Sequence, residues 1–215
     1  ILYFIPRIDD NCELWRSDGT ELGTYLVKKW EDNSYFNLTG ELLNYNNKII
    51  FSAYDEVNGK ELWISDGTNT GTKLVKDIFP GSANSFPKNF FVFEDNFYFV
   101  ASNSPNNYEL WKSNGTTDGT ILLKEINPST SGLSDTKNNF IIFKNNFYFY
   151  ANNTINGNEL WKSDGTTDGT QLLKDINTGG NGSGSDLIGY STNSFFVFCA
   201  NTPTTGTELW VSDGT

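Results

Sequence analysis

The chain of 215 residues contains no histidine, no methionine, two cysteines and two arginines. Each shortage narrows what it can be. Without histidine the commonest general base and the commonest nitrogen ligand for metals are missing. Cys12 and Cys199 are too few for a disulfide scaffold and are not spaced for zinc. The missing initiator methionine suggests a processed chain or a window of a longer one. No apolar run approaches the roughly 18 residues of a membrane span, and no basic-then-apolar leader is present, so no membrane insertion is expected. A net charge of -11 and a pI near 4.4 repel a phosphate backbone, which excludes nucleic acid as a natural partner.

What the chain does have is aromatic residues and a period. Aromatics make up 15%, with 17 Phe and 10 Tyr, a composition that favours strands. Glu-Leu-Trp occurs at Glu13, Glu61, Glu109, Glu159 and Glu208, at offsets of 48, 48, 50 and 49. After each Trp comes X-Ser-Asp-Gly-Thr, with Asn114 in place of Asp in the third copy, and four copies continue into a Gly-Thr pair such as Gly71-Thr72.

Each unit reads as four antiparallel strands. In the third copy these are Phe90 to Glu94, Phe97 to Ser102, Glu109 to Ser113 and Gly119 to Ile126. The first turn is placed at Asp95-Asn96, matched to Asn46-Asn47 and Asn145-Asn146, since Asn and Asp tolerate φ > 0. Four strands per 40–50 residues is the period of a propeller blade, and one such sheet cannot bury both faces alone. The consecutive apolar residues of 97–99 and 147–150 suit strands covered on both sides. The expected fold is therefore all-β: a β-propeller-type array of about five units, 1–31, 32–79, 80–127, 128–177 and 178–215, forming a single repeat domain. A right-handed β-helix fits less well, because its coils are usually shorter and lack these hairpin turns.

The run from Glu61 to Ile78, with Pro80-Gly81-Ser82 and Ser85 after it, resembles the consensus of the ELWxxDGT-repeat family over essentially the whole chain. That resemblance implies a large secreted or surface repeat protein with a propeller-like fold, and little about activity. Lys29-Trp30 departs from the Asp/Glu-Ile of other copies.

Register at the termini adds an expectation. Ile1, Ile49, Phe97, Phe147 and Phe196 each precede a motif Glu by twelve residues. On this alignment the first unit lacks its first strand and the last lacks its fourth, eighteen strands in all. Either the array is truncated or neighbouring subunits complete it, and open strand edges that do not close into a ring favour a filament.

Candidate sites follow from the motif and from its interruptions. Asp18, Asp66, Asp164 and Asp213 are read as turn-forming residues capping backbone N–H groups, rather than as calcium ligands, which come in larger clusters. The turn resembles the Asp-box hairpin of sialidases. Trp15, Trp63, Trp111, Trp161 and Trp210 are read as packing between units, with a sugar platform as the alternative. The motif Glu is expected to pair with a fourth-strand Lys. No catalytic, metal or cofactor site is expected: every copy carries the same Glu, so no carboxylate pair stands out, and Arg7 and Arg16 form no cluster.

Sequons occur at Asn37, Asn114, Asn152 and Asn181, all placed in turns or linkers and open to glycosylation in a secreted protein. Cys12 and Cys199 fall in the terminal units. A disulfide could staple the ends or link subunits, and two free thiols are the alternative. The functional expectation is an extracellular or cell-surface structural, adhesive protein that assembles with itself through open blade edges. A lectin-like, glycan-binding propeller is the alternative.

Overall fold

The computed structural model describes residues 1–8, 11–30, 41–133, 140–182 and 190–215, and for 7–8, 11–12 and 190–191 the backbone alone. It is all-β, with no helix among the described residues. None is therefore long and apolar enough to cross a membrane. The first sheet holds β1 (Leu2–Phe4), β2 (Arg7–Ile8), β3 (Asn11–Ser17) and β4 (Tyr25–Trp30). Next comes β5 (Leu43–Tyr45), β6 (Lys48–Asp55), β7 (Gly59–Ser65) and β8 (Lys73–Lys76). The third sheet is β9 (Lys88–Phe93), β10 (Asn96–Ser102), β11 (Tyr108–Ser113) and β12 (Ile121–Lys124). The fourth is β13 (Ile141–Phe143), β14 (Asn146–Asn153), β15 (Gly157–Ser163) and β16 (Gln171–Lys174). The last is β17 (Tyr190–Ser191), β18 (Phe196–Thr202) and β19 (Gly206–Ser212). The three central sheets are antiparallel meanders in chain order.

Four hydrophobic clusters lie one at each junction between successive sheets. The period of two on the central strands builds them. Phe97, Phe99 and Ala101 face the preceding sheet, whereas Tyr98 and Val100 face the following one. All five are 0–1% exposed, so β10 is apolar on consecutive residues because both its faces are covered.

Three local features depart from expectation. The first turn of the third and fourth units is Glu94-Asp95 and Lys144-Asn145, one residue earlier than expected, and only the second unit uses Asn46-Asn47. Asn96 and Asn146 already belong to the ladder, opposite Phe93 and Phe143. The fourth strand of the third unit is Ile121–Lys124, shorter than Gly119 to Ile126. Its ends are drawn elsewhere: Gly119 N–H donates to Thr116 Oγ1, and Ile126 N–H to the Glu109 carboxylate.

In the first unit, Leu2 rather than Ile1 takes the place of Ile49 and Phe97. Leu2 pairs with Ser17 as Ile49 does with Ser65 and Phe97 with Ser113. One residue fewer separates Ile8 from its partner Asn11 than separates Asp55 from Gly59. Pro6, which has no N–H for the ladder, falls between β1 and β2 and divides what is one strand in the other units.

Candidate functional site

The Asp-Gly-Thr turn is a closed set of hydrogen bonds repeated from unit to unit. In the second, Asp66 Oδ1 accepts from Thr68 N–H at 2.9 Å and from its hydroxyl at 2.7 Å. Thr68 Oγ1 accepts from Gly71 N–H at 3.0 Å, and the Thr72 hydroxyl donates to Thr68 O at 2.6 Å. Ser65 Oγ lies 2.7 Å from Thr72 Oγ1 and accepts from Gly67 N–H. These bonds hold the carboxyls of Asp18, Asp66, Asp164 and Asp213 below their ordinary range, the Thr hydroxyl being the largest cause in each. Asn114 makes the same two bonds through its Oδ1.

The turn also accounts for the second glycine. A Cβ on Gly71 would stand 2.0 Å from Asp66 Oδ1, and Gly23, Gly119 and Gly169 are equally tight against Asp18, Asn114 and Asp164. Oδ1 of each turn residue is thereby taken up within the turn itself. Among the described residues no three or more His, Cys, Asp or Glu side chains stand together.

The motif glutamate serves a purpose the sequence did not reveal. Glu109 is 1% exposed. Its carboxylate accepts the N–H groups of Ile126, Asn127 and Gly132 at 2.9, 3.0 and 3.1 Å. Glu61 holds Ile78, Phe79 and Ser85 the same way and adds the Ser85 hydroxyl at 2.6 Å. Glu159 holds Ile176, Asn177 and Gly182. Each carboxylate thus folds the outgoing linker back over its own sheet.

The linker residue at the end of this clamp also reaches forward. Ser85 O accepts Ser102 N–H, Gly132 O accepts Asn152 N–H, and Gly182 O accepts Asn201 N–H, each donor lying in the next unit. One linker residue therefore ties two sheets. Burial raises the Glu61 and Glu109 pKa values to about 7 despite these donors, and raises that of Glu159 as well.

Among the described residues the Glu–Lys pairing expected from the sequence occurs in the first unit alone, as Glu13–Lys29 at 3.6 Å. In the first three units another fourth-strand lysine crosses to the next unit's turn. Lys28 Nζ donates to Thr72 O, Lys76 Nζ to Thr120 O at 2.8 Å, and Lys124 Nζ to Thr167 O. The hydroxyls of Thr117 and Thr167 return bonds to Val75 O and Leu123 O.

Trp63, Trp111 and Trp161 are 5–7% exposed and pack into the junction with the preceding sheet, so they offer no open platform to a sugar. Trp15 and Trp210 are half-buried. Of the sequon residues, Asn37 lies outside the described residues. Asn114 is exposed in its turn and Asn181 in its linker. Asn152 is not in a turn: it is half-buried in β14, paired with Asn158. Cys199 is free and half-buried, and the Cys12 side chain lies outside those described.

The outward faces of the first and last sheets are the remaining feature. Leu209 is 64% exposed, although its equivalents Leu62, Leu110 and Leu160 are 0–1% exposed. Val211 is 61% exposed where Ile64 is 4% exposed. At the other end Leu2 is 65% exposed where Phe97, Phe147 and Phe196 are fully buried. Beside Leu2, Phe4 stacks on Trp15 at 6.4 Å, the arrangement that Phe99 and Trp111 adopt inside a junction.

No family model and no curated protein matches the chain. Among solved structures it is similar to puromycin hydrolase, both alone and as a mutant complexed with PGG, at 14% and 15% identity and a TM-score of 0.54. The match covers 89% of this chain but 29% of the hydrolase chain. An acylaminoacyl peptidase from Pyrococcus horikoshii superposes more loosely, with a TM-score of 0.46 at 12% identity over 95% of this chain and 29% of that one. The chain therefore spans less than a third of the length of these proteins, and what it shares with the hydrolase is the all-β fold.

Proposed function

We propose that the chain is a non-catalytic structural repeat protein of the ELWxxDGT type, a propeller-type stack of sheets that assembles with further units of its own kind. The observation that carries this reading is the pair of apolar outer faces. At the junction of the second and third sheets two residue sets meet: Leu62 and Ile64 on one sheet face Phe97, Phe99 and Trp111 on the next. The last sheet presents the first set as Leu209 and Val211, and the first sheet presents the second as Leu2, Phe4 and Trp15. An exposed face built like half of a core favours association. Joining unlike ends gives a head-to-tail contact, which propagates when it does not close. The contact is thus face to face, in addition to the pairing of open strand edges that the sequence suggests.

The motif residues support a scaffold reading, because Glu61, Glu109, Glu159 and the turn aspartates are engaged in holding the chain together. The extracellular placement rests on the ELWxxDGT resemblance and on the exposed sequon residues Asn114 and Asn181. Sedimentation velocity over a concentration series, with electron microscopy of the heaviest fraction, tests the assembly. Strings whose length grows with concentration are expected, and a monodisperse monomer at high concentration would sink the proposal.

A further inference from the structure

The junctions between sheets are of two kinds. On the side of a sheet that meets the next, one cross-strand pair stands opposite the following Asp-Gly-Thr turn. These pairs are Tyr3 with Arg16, Ile50 with Ile64, Tyr98 with Lys112 and Tyr148 with Lys162. Arg16, Lys112 and Lys162 bring a cation to their pairs, whereas Ile50 and Ile64 are wholly aliphatic.

The following turn changes with the pair. After Tyr3 and Arg16 comes Asp66, and a Cβ on Gly67 would lie 3.4 Å from Arg16 Nη1. After Tyr98 and Lys112 comes Asp164, and Lys112 Nζ donates to Gly165 O at 3.0 Å. After Tyr148 and Lys162 comes Asp213, and Lys144 Nζ from the same preceding sheet donates to Asp213 O at 3.1 Å. After Ile50 and Ile64 comes Asn114, the neutral member of the series, where a Cβ on Gly115 would lie 3.3 Å from Ile64 Cδ1. Fourth-strand lysines reach the turn in junctions of both kinds, Lys28 to Thr72 O and Lys76 to Thr120 O, so they do not make the difference. Lys73, beside Ile64 on the outer strand, is exposed.

The match has a physical reason. A carboxylate set against an aliphatic surface loses water without gaining a partner, whereas an amide keeps the same turn at lower cost. Opposite a cation the carboxylate is the better choice. Lys112 adds to the Thr166 hydroxyl in holding the Asp164 carboxyl below its ordinary range, and Lys144 adds to the Thr215 hydroxyl in holding that of Asp213.

The outer face of the last sheet is of the aliphatic kind. Val197 pairs with Val211 where Ile50 pairs with Ile64, and Cys199 with Leu209 where Ser52 pairs with Leu62. Val197 and Cys199 alternate with Phe196, Phe198 and Ala200, which pack inward. At the opposite end of the stack the turn carries Asp18, and a Cβ on Gly19 would meet nothing within 4 Å. By the register of the internal junctions, contact between identical chains sets Asp18 against Val211 without a cation at that place. We propose, resting on the face-to-face stacking above, that the outer face of the last sheet is matched to a repeat unit whose turn carries Asn in place of Asp, as the third unit's does. Charge matching of this kind selects among partners that share one shape.

The test isolates one contact. The Leu2→Asp chain keeps its last-sheet face, and the Leu209→Asp chain keeps its first-sheet face. Both changes fall on exposed residues, and calorimetric titration of one chain with the other gives Kd. Adding Asp18→Asn to the second chain should lower Kd roughly three- to tenfold. Asp164→Asn in that chain, in an internal turn, should leave Kd unchanged, which separates the local match from the loss of one negative charge. Val211→Lys in the first chain supplies the cation found at Lys112 and Lys162. It should reverse the order, so that the chain retaining Asp18 binds more tightly, by a margin that shrinks as salt is raised. Equal affinity with and without Asp18→Asn, an equal gain from Asp164→Asn, or an order that Val211→Lys does not reverse would overturn this inference and leave the stacking in place. Failure of every pair to associate would overturn the stacking and this inference with it.

Discussion

At the residue scale the buried glutamates set both stability and its pH dependence. The ordinary glutamate value is 4.5, and in the folded chain Glu61 and Glu109 are raised to about 7. Between these values the folded state holds protons that the unfolded chain has released. The contribution is present below pH 4.5 and is lost as pH rises through 7. Unfolding by urea across this range should show stability falling with pH. Glu109→Gln should flatten that fall by the share of one site, because an amide does not titrate. It keeps an acceptor for Asn127 and Gly132 but leaves Ile126 N–H unanswered, a cost of about 1–3 kcal/mol. Gly71→Ala should cost a similar ~1–3 kcal/mol, read as a lower melting temperature, because its Cβ would fall on Asp66. The repetition of Glu and Gly was legible in the sequence, but their purpose was not. The groups Glu109 holds are backbone N–H groups, and the residues that supply them in each unit, such as Ser85, Gly132 and Gly182, share no side chain that would betray a common partner.

At the scale of strands and turns, composition located the elements and misplaced some ends. Asn-rich pairs marked the turn region correctly, yet Glu94 and Lys144 occupy the left-handed position at φ 52° and 53°. The pattern favoured Asn there by intrinsic tolerance, whereas the ladder placed the turn by closing Phe93 on Asn96 and Phe143 on Asn146. Residues with a Cβ are strained at such φ by about 1 kcal/mol or more. Glu94→Gly should therefore stabilise the chain by several tenths of a kcal/mol, after allowance for the greater freedom of glycine when unfolded. A rise in melting temperature with an unchanged urea slope would establish this, and a fall would show that Glu94 gains more from its surroundings than it loses to strain.

For the whole molecule the sequence made the all-β class, the four-stranded antiparallel unit and the burial of both strand faces readable, because each follows from alternation and repetition. The direction of stacking was not readable. It depends on which side of a sheet each residue occupies, and only the assembled junctions show Leu62 facing forward and Trp63 backward. That polarity gives assembly a signature that nonspecific association lacks. Leu209→Asp disables the forward face and Leu2→Asp the backward face, while each leaves the other intact. Burying a leucine is worth about 1.5–3 kcal/mol, and a carboxylate there must also be desolvated, so either change should prevent growth. Each variant alone should then sediment as a monomer, since head-to-tail contact needs both faces. An equimolar mixture should form dimers, the intact forward face of the Leu2→Asp chain meeting the intact backward face of the Leu209→Asp chain. Those dimers should stop, having a disabled face at each end. Dimers in the mixture and monomers in the separate samples would establish a polar face-to-face stack. Polymers formed by either variant alone would instead place the contact on the open strand edges.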